Sequence, residues 1–273
     1  MGPPRTTSAA PVRSTPRRDP RGACPCCRRP GPGERIEGTS YAACPTCGSL
    51  RSIADSCDVA GATAIGAART SDARRARARV GHLRRAVGEL RGSRLLELGP
   101  RDDLFVRAAR DVGIDAVREA DASARGTFDV VVAWEGLELL EEPGALLERA
   151  ASSLGPSGWV VVATPNAESL LRRGLGARWH GYDLPARHRT CLTEAGFRCL
   201  AARTGWHDVR AFTVDGGPGG LMQPRAPEAF DLESAVRRGA AWCLAPAGAV
   251  LERLTGRVPG ALGETLVAAA RLR

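Results

Sequence analysis

The sequence predicts an α/β protein, a doubly wound open sheet preceded by a small cysteine-rich metal module. Three observations carry that prediction. Apolar runs at Leu95–Leu98, Phe128–Trp134 and Trp159–Ala163 read as buried parallel strands. Stretches with helical spacing separate them, at 103–112, about 136–154 and 194–204. Ahead of them all, four cysteines fall in two Cys-x2-Cys pairs. A chain of 273 residues, 43% of them hydrophobic, has room for one full α/β domain and one small module.

In chain order, residues 1–22 are rich in Pro, Arg, Ser and Thr and carry almost no large apolar side chain, so they read as a disordered tail. Residues 23–50 form the cysteine module. Residues 51–92 are a Gly/Ala-rich linker followed by a helix, in which Ala73, Ala76, Val80, Leu83, Val87 and Leu90 step by three and four along one face. The arginines on the other faces read as a solvated surface. Residues 93–273 form the sheet domain. Segments 207–214 and 264–272 are its closing strands, and a helical insertion lies between them at about 215–262.

The formal charge is +9, and all 39 basic residues are arginine. They are spread along the chain, so a basic surface is favoured over a nucleic-acid footprint. No apolar run approaches the roughly 20 residues that cross a bilayer, and residues 1–22 have no apolar signal core. The expected setting is cytoplasmic, where nine cysteines are better explained by metal binding and buried thiols than by disulfides.

Cys24, Cys27, Cys44 and Cys47 give the spacing Cys-x2-Cys-x16-Cys-x2-Cys. Two such turns can wrap one Zn²⁺ in a tetrahedral thiolate shell. Such a shell is coordinatively closed, so this zinc would be structural and would fold a ribbon that has little core of its own. Cys26 is a spare that could compete with Cys27. Cys191, Cys199 and Cys243 read as core residues, and Cys57 has no assignment.

The blocks "RLLELG" (94–99), "FDVVVAWEGLELLEEPGALL" (128–147), "LGPSGWVVVATPN" (154–166) and "PARHRTCLTEAGF" (185–197) occur in that order. With them the chain resembles class I S-adenosylmethionine-dependent methyltransferases, in particular the ubiquinone-biosynthesis-like group, some of which carry an N-terminal zinc ribbon. The resemblance implies a Rossmann-like sheet and covers roughly residues 23–215. It places Glu97 and Gly99 at the first strand's end, against the methionine part of the cofactor. Arg101 and Asp103 stand where the family has further glycines, which implies weak cofactor binding. Only about fifteen residues separate the first helix from Phe128, too few for the usual strand, helix and strand. Asp121 is the best remaining acid for the cofactor, facing the ribose in one register and the adenine edge in another. Asp115 and Glu119 are weaker candidates.

The strand ending at Trp134-Glu135 directs its carboxyl end to the switch point where cofactor and substrate meet. By the resemblance, His188 lies near the substrate as a general base, and Trp179 and Tyr182 shape the pocket. The leading function is therefore methyl transfer to a small molecule. A binding or scaffold protein with a decayed cofactor loop is a second reading. An RNA methyltransferase is a third, disfavoured because the ribbon offers only Tyr41 for base stacking.

Overall fold

The computed structural model of the chain describes residues 22–54, 73–99, 103–121, 128–182, 188–214 and 263–273. Nearly all of the N-terminal tail, residues 55–72 of the linker, Arg101 and the expected helical insertion at 215–262 lie outside the described residues.

The cysteine module opens the fold with three short antiparallel strands, β1 (Glu34–Arg35), β2 (Tyr41–Ala43) and β3 (Leu50–Ser52). Helix α1 (Ala73–Val87) follows. Strand β4 (Arg94–Glu97), helix α2 (Leu104–Arg110), strand β5 (Asp115–Arg118) and strand β6 (Phe128–Trp134) then alternate. The chain continues through α3 (Gly144–Ala151), β7 (Leu154–Pro165), α4 (Leu170–Leu175), β8 (Thr190–Cys191), α5 (Glu194–Arg203), β9 (Trp206–Val214) and β10 (Thr265–Leu272).

Six strands form the main sheet in the order β5-β4-β6-β7-β10-β9. β4 to β7 run parallel, while β10 is antiparallel to both β7 and β9. Neighbouring residues of a strand point to opposite faces, and here both faces are covered. Val131, Ala133, Val160 and Val162 enter one core with Leu147 and Phe197. Val130, Val132 and Val161 enter the other with Leu83 and Phe105.

Three sequence expectations change. The short middle segment does contain a strand, β5, which pairs with β4 along its whole length; it is the later helix and strand that are missing among the described residues. The helix expected over about 136–154 begins only at Gly144, after a 3-10 turn at Leu137–Leu139. Pro143 accounts for the late start, because proline cannot continue a helix begun upstream and is tolerated only near its beginning. The arginines of α1 are not all solvated: Arg74 and Arg77 are exposed, whereas Arg79 is buried beside Ala76, Val80 and Leu83.

The ribbon reaches Ser52 and does not end at its own edge. β3 pairs antiparallel with β8, so the small sheet reads β1-β2-β3-β8 and borrows its last strand from the domain. Cys24, Cys26, Cys44 and Cys47 lie in the same buried cluster as Leu192, Phe197 and Leu200.

Candidate active site and metal centre

The ligand atoms of Cys24, Cys27, Cys44 and Cys47 all lie within 4.8 Å of one another. Cys24 Sγ is 3.7 Å from Cys47 Sγ, and Cys27 Sγ is 3.5 Å from Cys44 Sγ. A tetrahedron with Zn–S bonds of about 2.3 Å has edges of about 3.8 Å, so the four sulfurs fit zinc. Each knuckle is closed by its own backbone: Arg28 N–H donates to the Cys24 carbonyl and Gly48 N–H to that of Cys44. Cys26 is fully buried but is not one of the four. The cavity beside the ribbon, about 250 Å³ and bordered by Arg29, Glu34, Cys44 and Arg51, is walled by ribbon residues alone.

At the carboxyl edge of the sheet, Glu97 ends β4 with its side chain buried. Gly99 follows with φ +120, a conformation L side chains rarely adopt, and none of the described residues lies within 4 Å of where its Cβ would be, its chain neighbours aside. Asp103 has φ −81, so its backbone does not require glycine. Trp134 ends β6, 2% exposed, edge-on to Phe105 with ring centroids 5.2 Å apart. Its indole N–H, like the Thr164 hydroxyl near the end of β7, has no hydrogen-bond partner among the described residues. Asp121 follows β5 in a 3-10 turn, exposed, and accepts a 2.7 Å hydrogen bond from Arg118 Nε. An exposed carboxylate that accepts from one arginine keeps acceptor capacity for hydroxyl donors. Glu119 is engaged elsewhere, with Arg149 at 3.0 Å.

His188 is buried. Its neighbour Arg189 donates its N–H to the Glu138 carbonyl, tying the segment to the turn that leaves β6. His188 Nδ1 lies 3.3 Å from the Gly181 carbonyl oxygen. A carbonyl only accepts, so Nδ1 carries the proton and the lone pair of the neutral ring falls on Nε2. Tyr182 is buried, its hydroxyl accepting from Arg172 at 3.1 Å. Burial raises its phenol above the ordinary value against the opposing pull of Arg172, so Tyr182 is a protonated group at neutral pH. Trp179 packs edge-on to Tyr182 at 5.0 Å and donates its N–H to Glu264 Oε2 at 2.9 Å.

Two site residues escaped sequence reasoning as a pair. Glu135, just past β6, takes φ +54, and its carboxylate receives Arg79 at 3.1 Å and Arg75 at 3.9 Å. Arg79 also sits over the Trp134 ring at 5.7 Å. A non-glycine residue in that conformation is uncommon, and here the two arginines hold it. The available signal was positional, since Arg79 falls on the buried stripe between Ala76 and Leu83.

The methyltransferase domain profile matches residues 71–211, more than half of the chain. The chain belongs to the methyltransferase domain family. Its strand order, with one antiparallel strand inserted beside β7, is the class I S-adenosylmethionine-dependent arrangement. The methyltransferase is 26% identical over 169 residues to the ubiquinone biosynthesis O-methyltransferase of Bordetella pertussis, a match covering 46% of this chain and 70% of that protein. Among solved structures it is similar to an S-adenosylmethionine-dependent methyltransferase from Archaeoglobus fulgidus, 15% identical with a TM-score of 0.46, covering 78% of this chain and all of that one. It is also similar to phosphoethanolamine N-methyltransferase 2 of Haemonchus contortus, 13% identical with a TM-score of 0.41, covering 71% of this chain and 51% of that one.

Proposed function

We propose that this methyltransferase methylates a small molecule whose acceptor group, a hydroxyl or an amine, must lose a proton. The observation that carries the reading is His188, whose Nδ1 faces the Gly181 carbonyl, so that the basic nitrogen of the neutral ring is Nε2. The B. pertussis relative, by its name an O-methyltransferase, supports the same chemistry. S-adenosylmethionine would lie along Glu97, Gly99, Trp134 and Asp121, and when bound supplies an electrophilic methyl on a sulfonium leaving group. His188 takes the acceptor proton, Trp179 and Tyr182 wall the acceptor, and Tyr182 donates a hydrogen bond. The enzyme's main task is alignment of the two reactants and exclusion of water. Arg101 in place of a glycine makes cofactor binding weaker than is usual for the family, while Asp103 adds no backbone strain. Zinc at the four cysteines is structural.

Calorimetry with S-adenosylmethionine and with its demethylated product tests the site first, and measurable heat is expected. His188→Ala should then slow methyl transfer to a responsive acceptor by roughly 100-fold or more, with cofactor affinity unchanged. An unaltered rate would leave His188 a structural residue. Absence of heat with either ligand would favour the scaffold reading, and salt-sensitive retention of RNA would favour a nucleic-acid acceptor.

A further inference from the structure

The ribbon touches the acceptor wall directly. Tyr41, at the start of β2, is fully buried and donates its hydroxyl proton to the backbone carbonyl oxygen of His188 at 2.8 Å. Its ring packs on Tyr182 with centroids 5.0 Å apart. Tyr41, Leu50, Trp179, Tyr182 and Cys191 belong to one small buried cluster, separate from the two cores of the main sheet. The knuckle after β2 makes the next link, for the Thr193 hydroxyl donates to the Cys47 carbonyl. Between these contacts β3 pairs with β8, and Ser52 N–H donates to the Arg189 carbonyl at 2.9 Å. Residues 188–193 are thus gripped at both ends and in the middle by a module whose turns close around four thiolates.

We propose that Tyr41 is a positioning residue for the acceptor site, through which metal occupancy of Cys24, Cys27, Cys44 and Cys47 sets the placement of His188. A purely structural zinc would stabilise the ribbon and leave the acceptor wall alone. Here the ribbon supplies a hydrogen bond to the backbone of the residue that carries the proposed base. β2 and the second knuckle are consecutive in the chain, so a knuckle that opens on metal loss releases Tyr41 and the Cys47 carbonyl together. A base must sit within hydrogen-bond reach of the proton it removes, so a small displacement of His188 affects turnover more than binding. The catalytic part of this inference rests on the proposed function above; the mechanical part does not.

The test uses the zinc-loaded full chain, the same protein stripped by a chelator, and Tyr41→Phe, which keeps the ring and removes only the hydroxyl. Amide hydrogen exchange is the first readout. Exchange across residues 188–193 should rise by roughly tenfold in Tyr41→Phe while the β6 and β7 amides stay protected, and should rise further in the stripped protein, by more than any rise at β6 and β7. Returning zinc should restore protection in the wild type. Zinc content of Tyr41→Phe should remain stoichiometric, which separates loss of the contact from loss of the metal. With a responsive acceptor, kcat should fall about tenfold at unchanged cofactor affinity. Unchanged exchange at 188–193 in both Tyr41→Phe and stripped protein would overturn the proposal. Raised exchange without any methyl transfer would uphold the coupling and count against the acceptor reading alone.

Discussion

His82 shows what partial burial does to a single titratable side chain. It lies on α1, partly buried and edge-on to Phe212 at 6.5 Å. Burial, with smaller contributions from Arg85 and Arg79, pushes its imidazole down to about 4. An unfolded histidine titrates near 6.5, so between these values the unfolded chain binds the extra proton and the folded one does not. Stability is therefore complete above about pH 6.5 and falls as the pH drops toward 4, by at most about 3 kcal/mol. His82→Gln should flatten the acid limb of a denaturation-midpoint profile over that window. An unchanged limb would assign the acid sensitivity to other groups. Cys191 behaves in the opposite sense: burial, with Glu138 nearby, pushes its thiol up, which makes it the inert core residue the sequence implied.

At the scale of elements, legibility followed periodicity. β6 and the core of β7 were readable because a strand covered on both faces is an uninterrupted apolar run. β5 was not, because its four residues, Asp115-Ala-Val-Arg118, bury only Ala116 fully and sit at a sheet edge. β8 has two residues and exists through pairing with β3, which no local signal announces. The candidate residues at the sheet's carboxyl edge could be listed from the resemblance, but the Arg79–Glu135 pair joins elements distant in sequence and needed the fold. α5 shows the same dependence on a distant partner. Its Gly196 has no side chain because Ser49 Oγ of the ribbon lies 1.8 Å from where a Cβ would be. Gly196→Ala should cost about 1–3 kcal/mol by forcing Ser49 away from α5. Adding Ser49→Ala, which removes the 1.8 Å clash and leaves the 3.2 Å contacts from Ser49 Cβ and Thr193 Oγ1, should recover most of the loss. Denaturant midpoints of the two single variants and the double variant decide it, and additive losses would refute the steric account.

For the whole molecule, the question is whether ribbon and sheet domain melt together. The sequence alone implies a small appended module, in which Cys44→Ser would release zinc and loosen the ribbon while the sheet stayed folded. The fold argues otherwise. Cys24, Cys44 and Cys47 share a buried cluster with Phe197, Leu200 and Val160, and the ribbon's sheet is completed by β8 of the domain. Tyr41 and Leu50 are each fully buried within or against that junction. Two such side chains are worth about 3–6 kcal/mol of burial, comparable to a large share of a domain's net stability. A ribbon that unfolds alone would expose them and strip one face of α5, so the two parts should unfold as one unit. Cys44→Ser, or chelation of the wild type, should lower a single calorimetric transition by on the order of 10 °C. Zinc added back to the chelated wild type should return the transition to its original place, while Cys44→Ser stays low because it lacks the fourth thiolate. Two resolved transitions, with the upper one unmoved by metal, would show that the sheet domain stands without the ribbon. In that event the contacts at His188 would be a docking of independent units, and metal loss would leave the main sheet intact.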